Sequence, residues 1–167
     1  MENYGENRQT GGEFIPSIAR EAGNSQKSGE LLQCLRKHTE ASKKTIESIM
    51  PRLTEGSFKQ LLLSQYENYE NLSGKISGEL GAIGQAPRAS NLFTGALNSA
   101  TASIRTLLDD SPAHIASMLI SANNSCVMSV TKEFNRSKDQ LGEGAKGCAE
   151  AFFNLAQNNN EQLKPYL

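Results

Sequence analysis

The 167 residues are enough for one domain with a single hydrophobic core. The 17 basic and 18 acidic residues leave a net charge of −1, and no basic stripe with interleaved aromatic residues occurs, so we expect no nucleic-acid binding. The N-terminal segment MENYGENRQTGG has no basic or apolar signal region, and nowhere do 18 apolar residues run together. We therefore expect a soluble cytoplasmic protein without membrane association.

The three cysteines, Cys34, Cys126 and Cys148, are far apart and share no C-x-x-C spacing. An odd number at these distances argues against both a disulfide framework and a zinc site. We expect buried or half-buried free thiols in a reducing compartment.

The first 28 residues are rich in Gly, Asn, Gln, Glu and Ser, with one apolar island, FIPSIA, at 14–19. Such a composition buries too little apolar area to offset about 1–2 kcal/mol of backbone ordering per residue. We predict a disordered or loosely docked tail over residues 1–28 and a helical domain over residues 29–167.

Apolar residues at spacings of three and four predict two long helices in the first half of the domain. The first ends near residue 50, because Pro51 cannot continue it. The second follows a turn at 51–54 and ends in GAIGQAP, where two glycines and Pro87 break the pattern.

A shorter third helix is predicted after Ser90, with Phe93 and Leu97 on its apolar face. Ser111 followed by Pro112 is a strong start signal for a fourth helix, which runs to about Ser137. The last helix covers residues from about 145 to the stop at Pro165. No alternating stretch is long enough to predict a strand.

The segment LGEGAKG places Gly142, Gly144 and Gly147 in the G-x-G-x-x-G spacing of dinucleotide-binding loops. That motif functions where a strand ends at the first glycine inside a βαβ unit. Here a polar helix end precedes it, and too few residues follow for a second strand. We interpret the glycines as a turn between helices followed by a glycine-rich first helical turn.

Two helices, a linker with a short crossover helix, and two more helices make a layout that resembles the ferritin-like superfamily. Over residues of about 30–165 it is most similar to bacterial ferritin-like domains of unassigned function. The resemblance implies an all-α, antiparallel four-helix bundle, with a short crossover helix between the second and third long helices.

Members of that superfamily that handle metal take Glu from two helices and Glu-x-x-His from the other two. Neither His38 nor His114 has a glutamate three residues before it, and the fourth helix carries no carboxylate before Glu133. Helical geometry places Glu67 toward solvent and Glu70 at the border of the core. We therefore expect no metal and no cofactor. The candidates for an atypical metal site are Glu40, Glu47, Glu70 and His38.

The flanking sequence RKHTE gives His38 charged neighbours, and we expect it to be a partly exposed surface residue. His114 falls in the first turn of the fourth helix, and we expect it to have a structural role. Ser129-x-x-Lys132 matches one motif of penicillin-recognising enzymes by chance, because the companion motifs are absent.

Five uncharged polar residues fall on the inner helix faces at mid-depth: Thr39, Ser42, Gln65, Tyr69 and Asn123. One interpretation is a small polar pocket or an altered site. The other, which we favour, is a hydrogen-bonded core layer that fixes helix register.

Several apolar residues lie off the inner faces, including Ile120, Val127, Met128 and Phe153. They cover either the crossover helix or a second copy of the chain. We expect a non-enzymatic bacterial protein that acts through protein association, as a homodimer or within a larger assembly. The alternatives are a ferritin-like metal-dependent oxidoreductase or metal-binding protein with atypical ligands, and a bundle that binds a small molecule near Gln65. Some endospore-coat proteins have ferritin-like domains, but no residue of this sequence selects that location.

Overall fold

A computed structural model describes residues 17–88 and 110–167, with side chains from residue 24 onward. Within these ranges all regular secondary structure is helical. The four α-helices are α1 (Ser17–Ile49), α2 (Ser57–Ala82), α3 (Pro112–Ser137) and α4 (Glu143–Leu163), and short 3-10 turns follow α1, α3 and α4. The predicted short helix after Ser90 lies outside the described residues, as do residues 1–16.

The first helix begins at Ser17, well before the predicted start near residue 29. Residues 17–28, which the sequence assigns to a tail, therefore belong to α1. Two contacts accompany this extension: the Ser28 hydroxyl accepts a hydrogen bond from the Gly142 N–H at 2.9 Å, and Gly29 lies against the Gln85 side chain. These contacts hold the C-terminal end of the extension, at Ser28 and its neighbour Gly29.

The boundaries set by local signals agree with the prediction. Helix α1 ends at Ile49, and Pro51 occupies the 3-10 turn that follows. Ser111 caps α3, where its hydroxyl accepts a hydrogen bond from the His114 N–H at 3.3 Å. Gly84, with φ of 72°, stops α2 in a conformation that glycine adopts without strain.

The glycine motif forms the junction between α3 and α4. A 3-10 turn over Lys138–Gln140 precedes it, and Gly142 occupies the N-cap of α4. In the described part of the chain no strand leads into it, so it lacks the context of a nucleotide loop. A Cβ at Gly144 would overlap the Glu79 carboxylate, which lies over the first turn of α4, where the helix dipole favours negative charge.

All four helices contribute to two apolar clusters. The first consists of Leu31, Leu32, Leu35, Leu72, Ile76, Leu80, Cys126, Val130, Leu141, Ala145, Cys148, Ala149 and Phe152. The second consists of Ile46, Ile49, Phe58, Leu62, Tyr69, Ile115, Ala116, Leu119 and Leu163. Buried Thr39, Asn123 and Asn159 lie between the two clusters in the sequence of their helices, whereas buried Gln65 lies between two residues of the second cluster, Leu62 and Tyr69. Across both described ranges, no helix combines the length and apolar character that crossing a bilayer requires.

Candidate functional site

Two of the five polar side chains predicted for the inner faces, Tyr69 and Asn123, belong to a hydrogen-bonded layer. The Tyr69 hydroxyl donates to Asn123 Oδ1 at 3.1 Å, and Asn123 Nδ2 donates to Asn160 Oδ1 at 3.0 Å. The Asn160 amide in turn donates to exposed Asn124 at 2.9 Å. Three successive hydrogen bonds thus connect buried Tyr69 on α2 with exposed Asn124 on α3.

Gln65 joins the same layer from α2. Its amide donates to the Asn159 carbonyl at 3.2 Å and to Gln162 Oε1 at 3.4 Å. The Asn159 side chain is fully buried, and neither of its amide atoms makes a hydrogen bond of standard geometry within the described chain, although the amide is close enough to the Tyr69 hydroxyl to affect the pKa of that group. A buried polar group in that state costs about 1–3 kcal/mol. Asn159 was not among the five residues predicted for the layer, although the helical period places it on the inner face of α4.

A small cavity of about 10 Å³ adjoins this layer. Its walls are Ser42, Thr45, Ile46, Gln65, Tyr69, Leu119, Ala122, Asn123 and Cys126. The structure therefore brings together four of the five predicted polar residues, whereas Thr39 is buried outside the cavity with its hydroxyl unpartnered in the described chain. A volume of this size is comparable to one water molecule and excludes an organic ligand.

The groups around the cavity are neutral at physiological pH. Burial raises the pKa of Tyr69, against the opposing effect of the neighbouring Asn159 and Ser42 side chains. Burial, aided by Cys34, raises the pKa of the Cys126 thiol to about 11. The layer therefore contains hydrogen-bond donors and acceptors but no acid or base that titrates near neutrality.

The glutamates considered as metal ligands pair with other groups. Glu40 accepts a hydrogen bond from Ser73 and pairs with the Lys43 ammonium at 3.3 Å. Burial opposes ionisation of Glu40, but Ser73 and Lys43 lower its pKa overall. Lys43 also pairs with exposed Glu70, so an ammonium group lies between the two carboxylates.

The other two metal candidates lie elsewhere. Glu47 is exposed and accepts a hydrogen bond from the Tyr66 hydroxyl at 2.8 Å, whereas His38 faces α3. Among residues 17–88 and 110–167, no group of three or more His, Cys, Asp or Glu side chains could hold a metal ion. Exposed Glu67 points to solvent, as the helical geometry predicts.

His38 is buried, which corrects the prediction of a partly exposed residue. Only 8% of it is accessible, and its Nε2 lies 2.9 Å from the Ser129 hydroxyl oxygen. Burial, with a smaller effect from Lys37, lowers its pKa to about 4. The charged residues around His38 in the sequence suggested exposure. The imidazole is buried because α3 packs against α1 and covers it.

Ser129 also interacts with the half-buried Cys34 thiol, so a thiol, a hydroxyl and an imidazole lie together between α1 and α3. Sequence positions implied no such Cys–His neighbourhood, although residues four apart share a helix face. Burial and Glu133 raise the pKa of Cys34, and Ser129 offsets this only in part. The thiol is protonated and the imidazole neutral near pH 7, so the cluster lacks an activated nucleophile.

The outer face of α3 is uncharged over the first 20 residues, whereas exposed Lys132 and Arg136 lie near its C-terminal end. From Pro112 to Thr131 the helix contains no Asp, Glu, Lys or Arg. We call the exposed residues of this uncharged stretch beyond the first turn the α3 surface, which comprises Ser117, Ser121, Asn124, Ser125 and Met128. Met128 is 61% exposed, whereas Ile120, Val127 and Phe153 are half-buried against the two apolar clusters. A single large apolar side chain thus stands in a neutral polar surface.

These features comprise a neutral polar layer, a neutral His–Ser–Cys cluster and an uncharged helix surface. None of them is a catalytic constellation of the familiar types. Comparisons of the chain with protein-family models, curated proteins and solved structures gave no match.

Proposed function

We propose that this protein is a non-enzymatic, cytoplasmic helical bundle that acts through protein association, as a homodimer or within a larger assembly. The α3 surface is the observation that carries the proposal. Interface cores are depleted of charged residues and enriched in methionine, because burying an unpaired charge costs free energy. Twenty consecutive helical residues without a charged side chain satisfy that requirement.

The uncharged character of the α3 surface favours a second copy of the chain as its partner. In a two-fold symmetric dimer each surface meets its own equivalent, and any net charge on it would repel itself. None of the five residues of the α3 surface carries a charge. Hydroxyl and amide side chains around Met128 can donate and accept hydrogen bonds at the rim of such a contact.

We further propose the ferritin-like, antiparallel arrangement of the four helices. On α2, Gln65 contacts Asn159 whereas Glu79 lies against Gly144, and this supports opposite directions for α2 and α4. The segment between α2 and α3 leaves near Arg36, which donates to the Arg88 carbonyl at 3.0 Å. It returns at Asp110, which pairs with Arg52 at 2.9 Å. Arg36 lies within α1 and Arg52 just beyond its C-terminal end, about four helical turns further along, and this separation supports a crossover connection.

Sedimentation velocity of the full chain over a wide concentration range tests the association. We expect the weight-average mass to rise from the 18.1 kDa of one chain toward twice that value at high micromolar concentration. A mass that stays at one chain throughout, together with failure to recover a larger assembly from cells, would contradict the proposal.

A further inference from the structure

A shallow groove of about 500 Å³ runs between α2 and α4, on a different part of the molecule from the α3 surface. We call it the asparagine groove. Four asparagines line it, two from each helix: Asn68, Asn71, Asn154 and Asn158. Its remaining lining residues are Leu72, Lys75, Ala151 and Leu155.

The four amides are unused by the described chain. None of them makes a hydrogen bond or any other polar contact with another described residue. Asn71, Asn154 and Asn158 are exposed and Asn68 is half-buried. Each amide offers an acceptor oxygen and two N–H donors, the same complement that a peptide group needs from a partner. Two helices thus present unpaired amides around one partly apolar groove.

We propose that the asparagine groove binds an extended polypeptide segment through its main chain. An extended segment has unpaired N–H and C=O groups that alternate along its length, and side-chain amides can pair with both. The groove spans residues 68–75 of α2, or about 10 Å at 1.5 Å per residue. That length accommodates about three residues of extended chain.

Other partners match the groove less well. A helix has already satisfied its main-chain groups internally, so only its side chains could pair with the asparagines. A nucleic-acid backbone requires several cations, and Lys75 is the single charged residue that lines the described groove. A sugar could bond to the amides, but no aromatic ring lines this part of the structure for it to stack on.

Lys75 gives the groove a direction. On α2, Gln65 contacts Asn159 and Glu79 lies against Gly144, so positions further along α2 face earlier positions of α4. Exposed Lys75 therefore lies at the end of the groove that Ala151 lines. A bound segment with an acidic side chain, or its own C-terminal carboxylate, at that end gains a charge-assisted contact. The rest of the segment pairs with neutral groups, so its other side chains are weakly selected.

The test uses the full chain and a displayed library of random dodecapeptides as the probe. Enriched peptides are labelled, and their dissociation constants are measured by fluorescence anisotropy. The groove variant is Asn71→Ala/Asn154→Ala. The matched control is Gln60→Ala/Gln157→Ala, which removes two exposed amides from the same helices outside the groove lining. Circular dichroism verifies that both variants fold.

We expect the groove variant to weaken binding at least about tenfold, as the loss of two or more hydrogen bonds implies, and the control to leave it unchanged. Methylating backbone nitrogens in the centre of the peptide should weaken binding more than exchanging the side chains there. Lys75→Gln should weaken binding of acidic peptides and reduce its salt dependence.

The proposal is overturned if wild-type protein enriches no peptide that the groove variant fails to enrich. It is also overturned if the enriched peptides bind the groove variant and the control variant equally. Binding of a neutral oligosaccharide such as maltoheptaose, without peptide binding, would assign the groove to sugars instead. None of these results bears on the mass of the wild-type protein in sedimentation, so the groove and the proposed self-association are tested separately.

Discussion

His38 Nε2 and the Ser129 hydroxyl oxygen lie 2.9 Å apart across the contact between α1 and α3. The imidazole is buried, and its pKa is lowered to about 4. The tautomer of His38 decides whether Nε2 accepts the Ser129 proton or donates to the hydroxyl oxygen, whereas a protonated ring can only donate, and protonation places a charge in the interior.

This depressed pKa makes the free energy of unfolding depend on pH. Between the unfolded pKa of about 6.5 and the folded pKa of about 4, the unfolded chain binds more protons at His38 than the folded chain. Stability is therefore highest above pH 6.5 and falls as the pH decreases through this range. The full shift corresponds to about 3 kcal/mol as an order of magnitude.

Urea unfolding of wild-type protein and the His38→Gln variant at pH 7 and pH 4 measures this effect. Glutamine can still pair with Ser129 but does not titrate. The pKa of Glu40 is also lowered, so its contribution to the free energy of unfolding decreases below about pH 4.5, but it does so equally in both proteins. We expect the variant to lose less stability than wild type. Equal losses would show that His38 is not buried in its neutral form.

The two buried asparagines of the polar layer should respond oppositely to substitution. Asn159→Leu replaces an amide that makes no hydrogen bond of standard geometry in the described chain by its nearest apolar isostere, and we expect a gain of about 1–2 kcal/mol. Asn123→Leu removes the acceptor of the Tyr69 hydroxyl, and we expect a loss of about 1–3 kcal/mol. Urea midpoints of both variants measure the contrast, and greater damage from Asn159→Leu would contradict it.

Gly78 within α2 and Gly84 just after it provide a test of the backbone conformation. A Cβ at Gly78 would meet no atom within 4 Å, so Gly78→Ala should stabilise the protein by about 1 kcal/mol through helix propensity. Gly84 has a positive φ, and Gly84→Ala should destabilise it by about 1 kcal/mol. Thermal melts of the two variants check the signs, and a stabilising Gly84→Ala would rule out the left-handed end of α2.

Metal analysis tests the alternative of a ferritin-like oxidoreductase. Lys43 pairs with both Glu40 and Glu70, so its ammonium group lies between the two carboxylates, where a metal ion would have to bind. We expect iron and manganese well below one equivalent in protein purified without chelators. A stoichiometric content, lost in a Glu40→Gln variant, would replace the association proposal by a metal-dependent one.

Features fixed by neighbours in the chain could be predicted from the sequence. The end of α1 before Pro51 and the start of α3 at Ser111–Pro112 follow from local backbone geometry, and so does the buried face with Gln65, Tyr69 and Asn123. These depend on cap chemistry, proline geometry and helical period.

Features fixed by distant segments could not be predicted. The early start of α1 accompanies contacts of Ser28 with Gly142, more than a hundred residues away. Burial of His38 depends on how α3 packs against α1. The asparagine groove forms only when α2 and α4 come together, since neither helix alone shows that its amides share one surface.

The central claim is that the α3 surface joins two copies of the chain, and sedimentation of a Met128→Glu variant tests it most directly. The control is Leu63→Glu, which places the same charge at another exposed apolar residue, on α2. We expect wild type and control to reach twice the chain mass at high micromolar concentration, whereas Met128→Glu, folded by circular dichroism, stays at one. A Met128→Glu protein that dimerises as strongly as wild type, or a wild-type protein of one-chain mass throughout, would contradict the account.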